Sequence, residues 1–291
     1  MNLSKIGYLL DVTAAVGCPL NCGCCPQELF VSAYSKTGGP RLMSFETFKA
    51  CVDKVPKNVH VSFSGFCEPF VNPALADMII YAHRSGFKLL MNTTAVGLTR
   101  GTLSRIEDIP FENIDVHMPD RENNTLVAAM PHHLETLEML SHSRLHRRRF
   151  ISLGEPHPAV VSLLGSGIET VAKGDLVSRA GALEHIRHPL LKYRKGAILC
   201  LRKYQRRNVL LPNGDLLLCC MDFGMKHVIG NLLRSPYREI VGGQPMRDIL
   251  RRLKDEKYGH VICRRCELAG GLLSLLHLKI SAAGRALRPW T

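Results

Sequence analysis

The sequence has no apolar stretch long enough to cross a membrane. A membrane-spanning helix needs about 20 consecutive apolar residues, and polar residues interrupt every hydrophobic run of this 291-residue chain well before that length. Lys5 and the short apolar run that leads toward Cys18 imitate a lipoprotein signal, but Asp11 interrupts the apolar part. We therefore expect a soluble, cytoplasmic protein without a membrane span.

The chain is also poor in aromatic residues and in acidic charge. Aromatic residues make up 6% of it, with a single tryptophan, so its basic runs lack the interleaved rings of a single-strand-binding platform. It has 38 Lys and Arg against 25 Asp and Glu, a net charge of +13. A basic surface attracts anionic partners, but a solvated basic surface explains the same numbers. A nucleic-acid partner is not expected.

The positions of the cysteines are the most informative feature of the sequence. Its eleven cysteines do not form the dense array of a small secreted scaffold, and their short spacings indicate metal binding in a reducing compartment. Cys18, Cys22 and Cys25 follow an apolar stretch with C-x3-C-x2-C spacing. Four thiolates complete an iron–sulfur cubane, so three leave one iron open for a ligand. A zinc knuckle with a distant fourth ligand, or unrelated buried thiols, is the alternative.

A second set of cysteines lies in the last third of the chain. Cys200 precedes a predicted hairpin around Asn213-Gly214, Cys219 follows it, and a C-x2-C pair completes the set of four: Cys200, Cys219, Cys263 and Cys266. Four thiolates fill a cluster or a tetrahedral zinc site with no open position. Cys219 and Cys220 are neighbours on a strand and point to opposite faces, so one of them joins the site.

Alternating strand-like and helix-like segments predict an α/β fold with a parallel sheet. The apolar runs read as buried strands lie at residues 10–16, 59–63, 87–91, 114–117 and 150–153. The helical patterns between them lie at residues 44–55, 73–85, 99–106 and 131–141, and a further helix is expected over residues 180–186. We predict a partial (β/α)6 TIM-like barrel followed by a small β-hairpin/helix auxiliary-cluster domain, with ligands at the carboxyl ends of the strands.

The first cysteine set resembles the signature of the radical S-adenosylmethionine (SAM) superfamily, in which SAM chelates the open iron. The segment Ser64-Gly65-Phe66-Cys67-Glu68-Pro69 resembles the loop after the second strand that binds the SAM amino group in that family. Gly65 and Glu68 match its pattern, whereas Phe66 and Cys67 depart from its glycine-rich form. The resemblance implies a charge-assisted contact between Glu68 and the ammonium group.

The same resemblance suggests further cofactor contacts by position. The residue before the third cysteine usually meets the adenine with an aromatic ring, and here it is Cys24, which leaves a backbone contact. Asn92, His117 and Asp120 follow later strands, where the family often places contacts to the ribose and carboxylate of SAM. Structural polar residues at strand ends are an equal alternative.

The second cysteine set resembles the shortened SPASM ("twitch") extension, in which the pattern C-x(n)-G-x4-C … C-x2-C holds one auxiliary cluster. Gly214 and Cys219 have that spacing. The resemblance implies two 4Fe–4S clusters, SAM, and an external electron donor such as flavodoxin or ferredoxin. We place the radical SAM domain at residues 1–195, the auxiliary-cluster domain at residues 196–270 and an apolar, basic C-terminal helix at residues 271–291.

The implied reaction starts with hydrogen abstraction by a 5′-deoxyadenosyl radical. We expect a small, hydroxylated substrate, a sugar, aminocyclitol or aminoglycoside, in which a carbinol is dehydrogenated or epimerised. Cys67 is the predicted hydrogen donor for epimerisation, although a free cysteine is more often a small buried hydrophobe. Modification of a ribosomally made peptide is one alternative, and only nine residues before the first predicted strand argue against it. A non-catalytic, metal-stabilised nucleic-acid binder is another, and radical modification of RNA lies between the two.

Overall fold

The computed structural model describes residues 8–20, 22–125, 131–171, 176–186, 193–201 and 206–271. Its eleven described strands are β1 (Tyr8–Val12), β2 (Val59–Phe63), β3 (Leu89–Thr93), β4 (Phe111–Met118), β5 (Arg148–Ser152), β6 (Ile168–Thr170), β7 (Leu199–Cys200), β8 (Arg207–Leu210), β9 (Asp215–Leu217), β10 (Val228–Asn231) and β11 (Ala269–Gly270). Its described α-helices are α1 (Gln27–Ser35), α2 (Phe45–Val52), α3 (Leu75–Arg84), α4 (Arg100–Ile106), α5 (Pro131–Ser141), α6 (Pro158–Leu164), α7 (Tyr237–Val241) and α8 (Gln244–Lys254).

Six parallel strands form the body of the sheet. β1 to β6 are neighbours in chain order, and helices connect each strand to the next. Sequential order with helical crossovers is the arrangement of a barrel wall rather than of a doubly wound sheet. Among the described strands the sheet is not closed into a ring. The predicted α/β fold with a partial TIM-like barrel is confirmed.

The predicted hairpin is present and extends the same sheet. β8 pairs in parallel with β1, with Val12 opposite Leu210, and β9 and β10 continue the sheet in antiparallel fashion. Gly214 in the turn has φ +84°, a conformation that glycine adopts without steric cost. β7 and β11 form a separate two-stranded sheet in which Cys200 pairs with Ala269. The hairpin thus joins the auxiliary segment to the barrel wall, and the domain boundaries remain a prediction.

Local signals explain where several helices begin. The Ser44 side chain accepts a hydrogen bond from the amide of Thr47 at 3.0 Å and caps α2. Thr99 caps α4 in the same way through the amide of Thr102, and α5 begins with Pro131, whose missing N–H costs nothing there. The four helices that the sequence predicts between the barrel strands are found, with ends shifted by up to three residues.

Two predicted features differ in the structure. β1 ends at Val12 instead of continuing to residue 16, because the amides of Ala15 and Val16 donate outside the strand ladder, to the sulfur of Cys67 and the carbonyl of Arg41. The segment of residues 180–186 forms turns and no helix, because Arg179 and Ala180 both have positive φ, which is incompatible with a right-handed helix. α1 and β6 were not predicted. The proposed C-terminal helix, apart from Gly271, lies outside the described residues.

The core fills the space between the sheet and its helices. Its largest cluster of buried side chains includes Leu10, Val61, Phe63, Leu89 and Val116 from four strands, and α2 and α3 pack over it. Both faces of β1 to β4 are largely buried, as expected for a parallel sheet. In the part of the chain that the structure describes, no helix has the length and apolarity needed to cross a membrane.

Asn72 is a buried polar residue that ties three loops together at the rim of the barrel. Its side-chain amide donates to the carbonyls of Ala14 and Met43 at 2.7 and 2.9 Å, and its oxygen accepts from the amide of Ala74. We expect Asn72→Ala to lower the free energy of unfolding by about 2–4 kcal/mol, because it leaves buried backbone groups without partners. Chemical denaturation of the purified protein measures this, with the exposed Asn58→Ala as control. Equal stability of both variants would contradict this structural role.

Candidate active site and cluster sites

A large cavity opens at the carboxyl ends of the barrel strands, with an empty volume of about 1170 Å³ that includes solvent at its mouth. This is the position that the parallel sheet predicts for a ligand. The cavity gathers all but one of the residues proposed for the first cluster and the cofactor: Cys18, Cys22, Cys24, Cys25, Gly65, Cys67, Glu68, Asn92 and His117.

The cysteine loop is held in place by a second loop from across the cavity. The amides of Gly23 and Cys24 donate to the carbonyls of Asn123 and Asn124 at 3.1 and 3.3 Å. Within the cysteine loop, the amide of Cys25 donates to the carbonyl of Cys22 at 3.0 Å. Burial raises the pKa of the Cys25 thiol to about 12. A free thiol here is therefore protonated at neutral pH, and binding of a metal cluster would release that proton.

Gly65 stands where no other residue fits. Its φ is +55°, and a side chain there would place a Cβ 2.7 Å from the amide nitrogen of Thr13. The Thr13 hydroxyl accepts a hydrogen bond from the amide of Phe66 at 3.1 Å. The loop after β2 thus packs directly on the end of β1, and this close approach requires glycine.

Glu68 is buried and oriented by four hydrogen bonds. One carboxylate oxygen accepts from the amide of Phe70 and the hydroxyl of Thr93, and the other accepts from the amide and hydroxyl of Thr94. Burial raises the pKa of Glu68, and these hydrogen bonds oppose that rise. Because protein donors already use about four lone-pair positions, Glu68 can act on a cationic ligand mainly through its charge. The two threonines were not predicted and have no sequence motif.

The three residues chosen by position differ in their surroundings. Asn92 and His117 line the cavity. Burial lowers the pKa of His117, and its Nδ1 has no hydrogen-bond partner among the described residues. Asp120 is not among the lining residues; it accepts hydrogen bonds from the amides of Glu122, Asn124 and Thr125. Asp120 thus shapes the loop that holds the cysteines.

Two thiols outside the proposed cluster sets also line the cavity. Cys67 lies against Cys18 and Glu68, and its sulfur accepts a hydrogen bond from the amide of Ala15 at 3.2 Å. Cys220 reaches the cavity from the hairpin side, where Arg207 and Asp11 are its charged neighbours. A free thiol is therefore available on each side of the cavity.

The second cysteine set lines a smaller cavity of its own. Its empty volume is about 450 Å³, and its walls combine the four predicted cysteines with apolar side chains: Cys200, Leu218, Cys219, Met221, Ile249, Leu253, Ile262, Cys263, Cys266, Leu268 and Ala269. Burial and the neighbouring thiols raise the pKa of Cys219 well above its usual value, and burial raises that of Cys263 to about 12. A buried donor set of four thiols in an apolar shell fits a closed iron–sulfur cluster or zinc.

One short stretch separates the two cavities. Cys219 faces the small cavity, its neighbour Cys220 faces the large one, and Met221 lines both. The predicted strand placement of this pair is wrong, because β9 ends at Leu217 and both cysteines lie in the turn that follows it; the two cysteines nevertheless line different cavities. A group bound in one cavity is therefore separated from the other by a single layer of side chains.

Several residues that shape the large cavity were not found by sequence reasoning. Asp11 and Arg207 form a buried ion pair in its wall, with 2.5 Å between Oδ2 and Nε. Arg179 and Phe223 line it as well, with the guanidinium carbon 5.7 Å from the ring centroid. No motif marks these residues, because each is brought to the cavity by contacts between distant parts of the chain.

Comparison with known proteins agrees with this geometry. Residues 200–267 match the model of the SPASM family, an iron–sulfur cluster-binding domain, and this segment contains all four cysteines of the small cavity. No curated protein matches the chain. The second cysteine set thus lies in a segment similar to the SPASM domain, as the sequence predicted.

Solved structures share the fold over most of the chain at low sequence identity. BtrN in complex with AdoMet and 2-DOIA superposes with a TM-score of 0.61 at 15% identity, covering 92% of this chain and 94% of BtrN. Streptococcus suis SuiB bound to the precursor peptide SuiA gives 0.55 at 13% identity, covering 91% of this chain and 72% of SuiB. anSMEcpe with bound AdoMet and Cp18Cys peptide gives 0.54 at 12% identity, covering 89% and 86%.

The adjacent cysteines of the hairpin provide a matched pair for testing the small cavity. We expect Cys219→Ala to lower the iron bound after anaerobic reconstitution by up to about four atoms per chain, because it removes one thiolate of a closed set. Cys220→Ala should bind as much iron as the unmodified protein. Iron and sulfide analysis with Mössbauer spectroscopy measures both. Equal iron loss in the two variants, or bound zinc instead, would contradict the assignment.

Proposed function

We propose that this chain uses two 4Fe–4S clusters and SAM to oxidise a carbinol of a small, hydroxylated substrate. Cys18, Cys22 and Cys25 would hold the first cluster with one iron open to SAM, and the four cysteines of the small cavity would hold the second. When bound, the open cluster and SAM supply a 5′-deoxyadenosyl radical, which removes one hydrogen atom from an unactivated carbon.

The residues of the large cavity position the two reactants. Gly65 lets the loop after β2 approach β1 closely, and Glu68 places a buried negative charge at the site expected for the SAM ammonium group. After abstraction, the substrate carbon must lose the hydroxyl proton and one electron to become a carbonyl. His117 is a neutral base on the cavity wall, since burial lowers its pKa, and it can accept that proton.

The single observation that carries the proposal is the thin wall between the two cavities. Oxidation needs a one-electron acceptor close to the substrate, and Met221 lines both the reaction cavity and the cavity of the second cysteine set. The match to BtrN, whose structure holds AdoMet and 2-DOIA, covers 94% of that chain and supports a small substrate. The matches to peptide-bound SuiB and anSMEcpe keep peptide modification as the competing hypothesis, since fold alone does not determine the substrate.

Epimerisation is a second candidate because Cys220 also lines the reaction cavity. Inversion needs a hydrogen donor on the side of the substrate opposite to the abstracting group. Cys67 lies beside Cys18 and Glu68, on the cofactor side, whereas Cys220 comes from the hairpin. Cys220 is therefore better placed than Cys67, the donor that the sequence predicts, to return a hydrogen atom to the opposite face of the substrate.

Anaerobic reconstitution tests the cofactors. We expect about eight irons per chain and reductant-dependent release of 5′-deoxyadenosine from SAM, because two four-iron clusters are proposed. Replacing Cys18, Cys22 and Cys25 together by Ala should leave about four irons and abolish SAM cleavage. A protein loaded with eight irons that never cleaves SAM would refute the proposed function.

Turnover in D2O separates the two reactions. A dehydrogenase yields a carbonyl product, and neither Cys67→Ser nor Cys220→Ser should abolish formation of that product. An epimerase incorporates solvent deuterium at the inverted carbon, and Cys220→Ser should then stop incorporation while SAM cleavage continues. Mass spectrometry of the product and quantification of 5′-deoxyadenosine measure both. Loss of deuterium in Cys67→Ser alone would restore Cys67 as the donor.

A further inference from the structure

Arg179 places an uncompensated positive charge in the reaction cavity. The described lining contains two carboxylates and two arginines. Asp11 is paired with Arg207, and Glu68 is occupied by four protein donors. Arg179 donates its Nε hydrogen to the carbonyl of Cys24 at 3.3 Å, and it forms no ion pair with any carboxylate in the described ranges. Its terminal nitrogens thus remain available for an anion.

The backbone that presents Arg179 is strained and fixed. Arg179 and Ala180 have φ values of 54° and 57°, a left-handed conformation that is sterically unfavourable for residues with side chains. The turn is held because the amide of Ser178 donates to the buried carboxylate of Glu267, and the Ser178 hydroxyl accepts from the amide of Gly181 at 3.0 Å. Glu267 directly follows Cys266, so the SPASM segment determines the position of Arg179.

The guanidinium lies between the cysteine loop and the hairpin wall. It is 5.7 Å from the centroid of Phe223, and that ring contacts Phe66 with 4.1 Å between centroids. Its other neighbours are the carbonyl of Cys24 and the thiol of Cys220. Glu68 belongs to the loop after β2 and Asn92 belongs to β3, on the barrel side. Arg179 therefore faces the space in which a substrate would lie between the cofactor and the hairpin.

We propose that Arg179 binds a carboxylate or phosphate group of the hydroxylated substrate; this inference rests on the proposed function and narrows it. A guanidinium presents paired N–H donors that match either anion in bidentate fashion. A partly buried charge is costly unless an anion compensates it. The same charge repels ammonium groups, so a polycationic aminoglycoside is a poorer fit than an acidic or phosphorylated sugar. An acidic or phosphorylated sugar is therefore the substrate class that we propose.

Calorimetric titration of the reconstituted protein with SAM bound tests this with four probes. Glucuronate and glucose 6-phosphate carry the two candidate anions, whereas glucose is neutral and glucosamine is cationic. We expect at least one acidic probe to bind tenfold or more tightly than glucose, and the tighter of the two identifies the anion. Arg179→Gln should reduce its affinity to that of glucose, and Arg179→Lys should restore part of it, because lysine keeps the charge and loses the fork.

The exposed arginine on α4 provides the matched control, since Arg105→Gln removes a charge that pairs with Asp77 on the surface and should not change probe affinity. The proposal is overturned if no acidic probe binds more tightly than glucose, or if Arg179→Gln leaves that preference intact. It is also overturned if Arg179→Gln weakens SAM binding alone, which would assign the arginine to the cofactor carboxylate. Failure of the unmodified protein to cleave SAM is a separate result that refutes the proposed function itself.

Discussion

The carboxylate of Asp11 is the point on which the reaction cavity depends. Asp11 lies on β1 and accepts hydrogen bonds from residues on both sides of that strand. The hydroxyl of Ser64, which follows β2, donates to it at 2.7 Å, and the guanidinium of Arg207 on β8 donates from the other side. It is 1% exposed, and a buried ion pair loses about 3–5 kcal/mol when one partner is removed. This interaction fixes the hairpin beside the first barrel strand, so both cysteine sets are positioned relative to the same sheet.

The Asp11–Arg207 pair also explains why the two cavities lie close together. β8 lies next to β1, so the turn that follows β9 carries Cys219 and Cys220 past the mouth of the barrel. In this turn Cys219 lines the small cavity and Cys220 lines the large one. A linker between two independent domains would allow their separation to vary, whereas a continuous sheet fixes it. The auxiliary segment is therefore part of the wall of the reaction cavity and also supplies Glu267, which holds the turn of Arg179.

Sequence patterns predicted the elements of this fold and the cysteines well, for identifiable reasons. Buried parallel strands appear as apolar runs, Ser44 and Thr99 mark helix starts by capping, and cysteine spacing reflects the chemistry of thiolate ligands. Asp11 in the first apolar run could be read only as an interruption, because its partner Arg207 is almost two hundred residues away. No sequence pattern predicted α1. No local pattern indicates that Arg179 and Ala180 adopt positive φ, which prevents a helix there.

The net charge of +13 also has a different meaning once the fold is known. In the basic run of residues 144–149, Arg144 pairs with Asp108, Arg147 with Glu112 and Arg149 with Asp115. Asp108 is exposed, and a pair of this kind contributes about 0–1 kcal/mol, whereas Glu112 is half-buried and Asp115 is buried. The three pairs neutralise a stretch that the sequence presents as a continuous basic patch. The charge that we expect to select a ligand is therefore that of Arg179 inside the large cavity, where a lower effective dielectric constant strengthens its attraction to an anion.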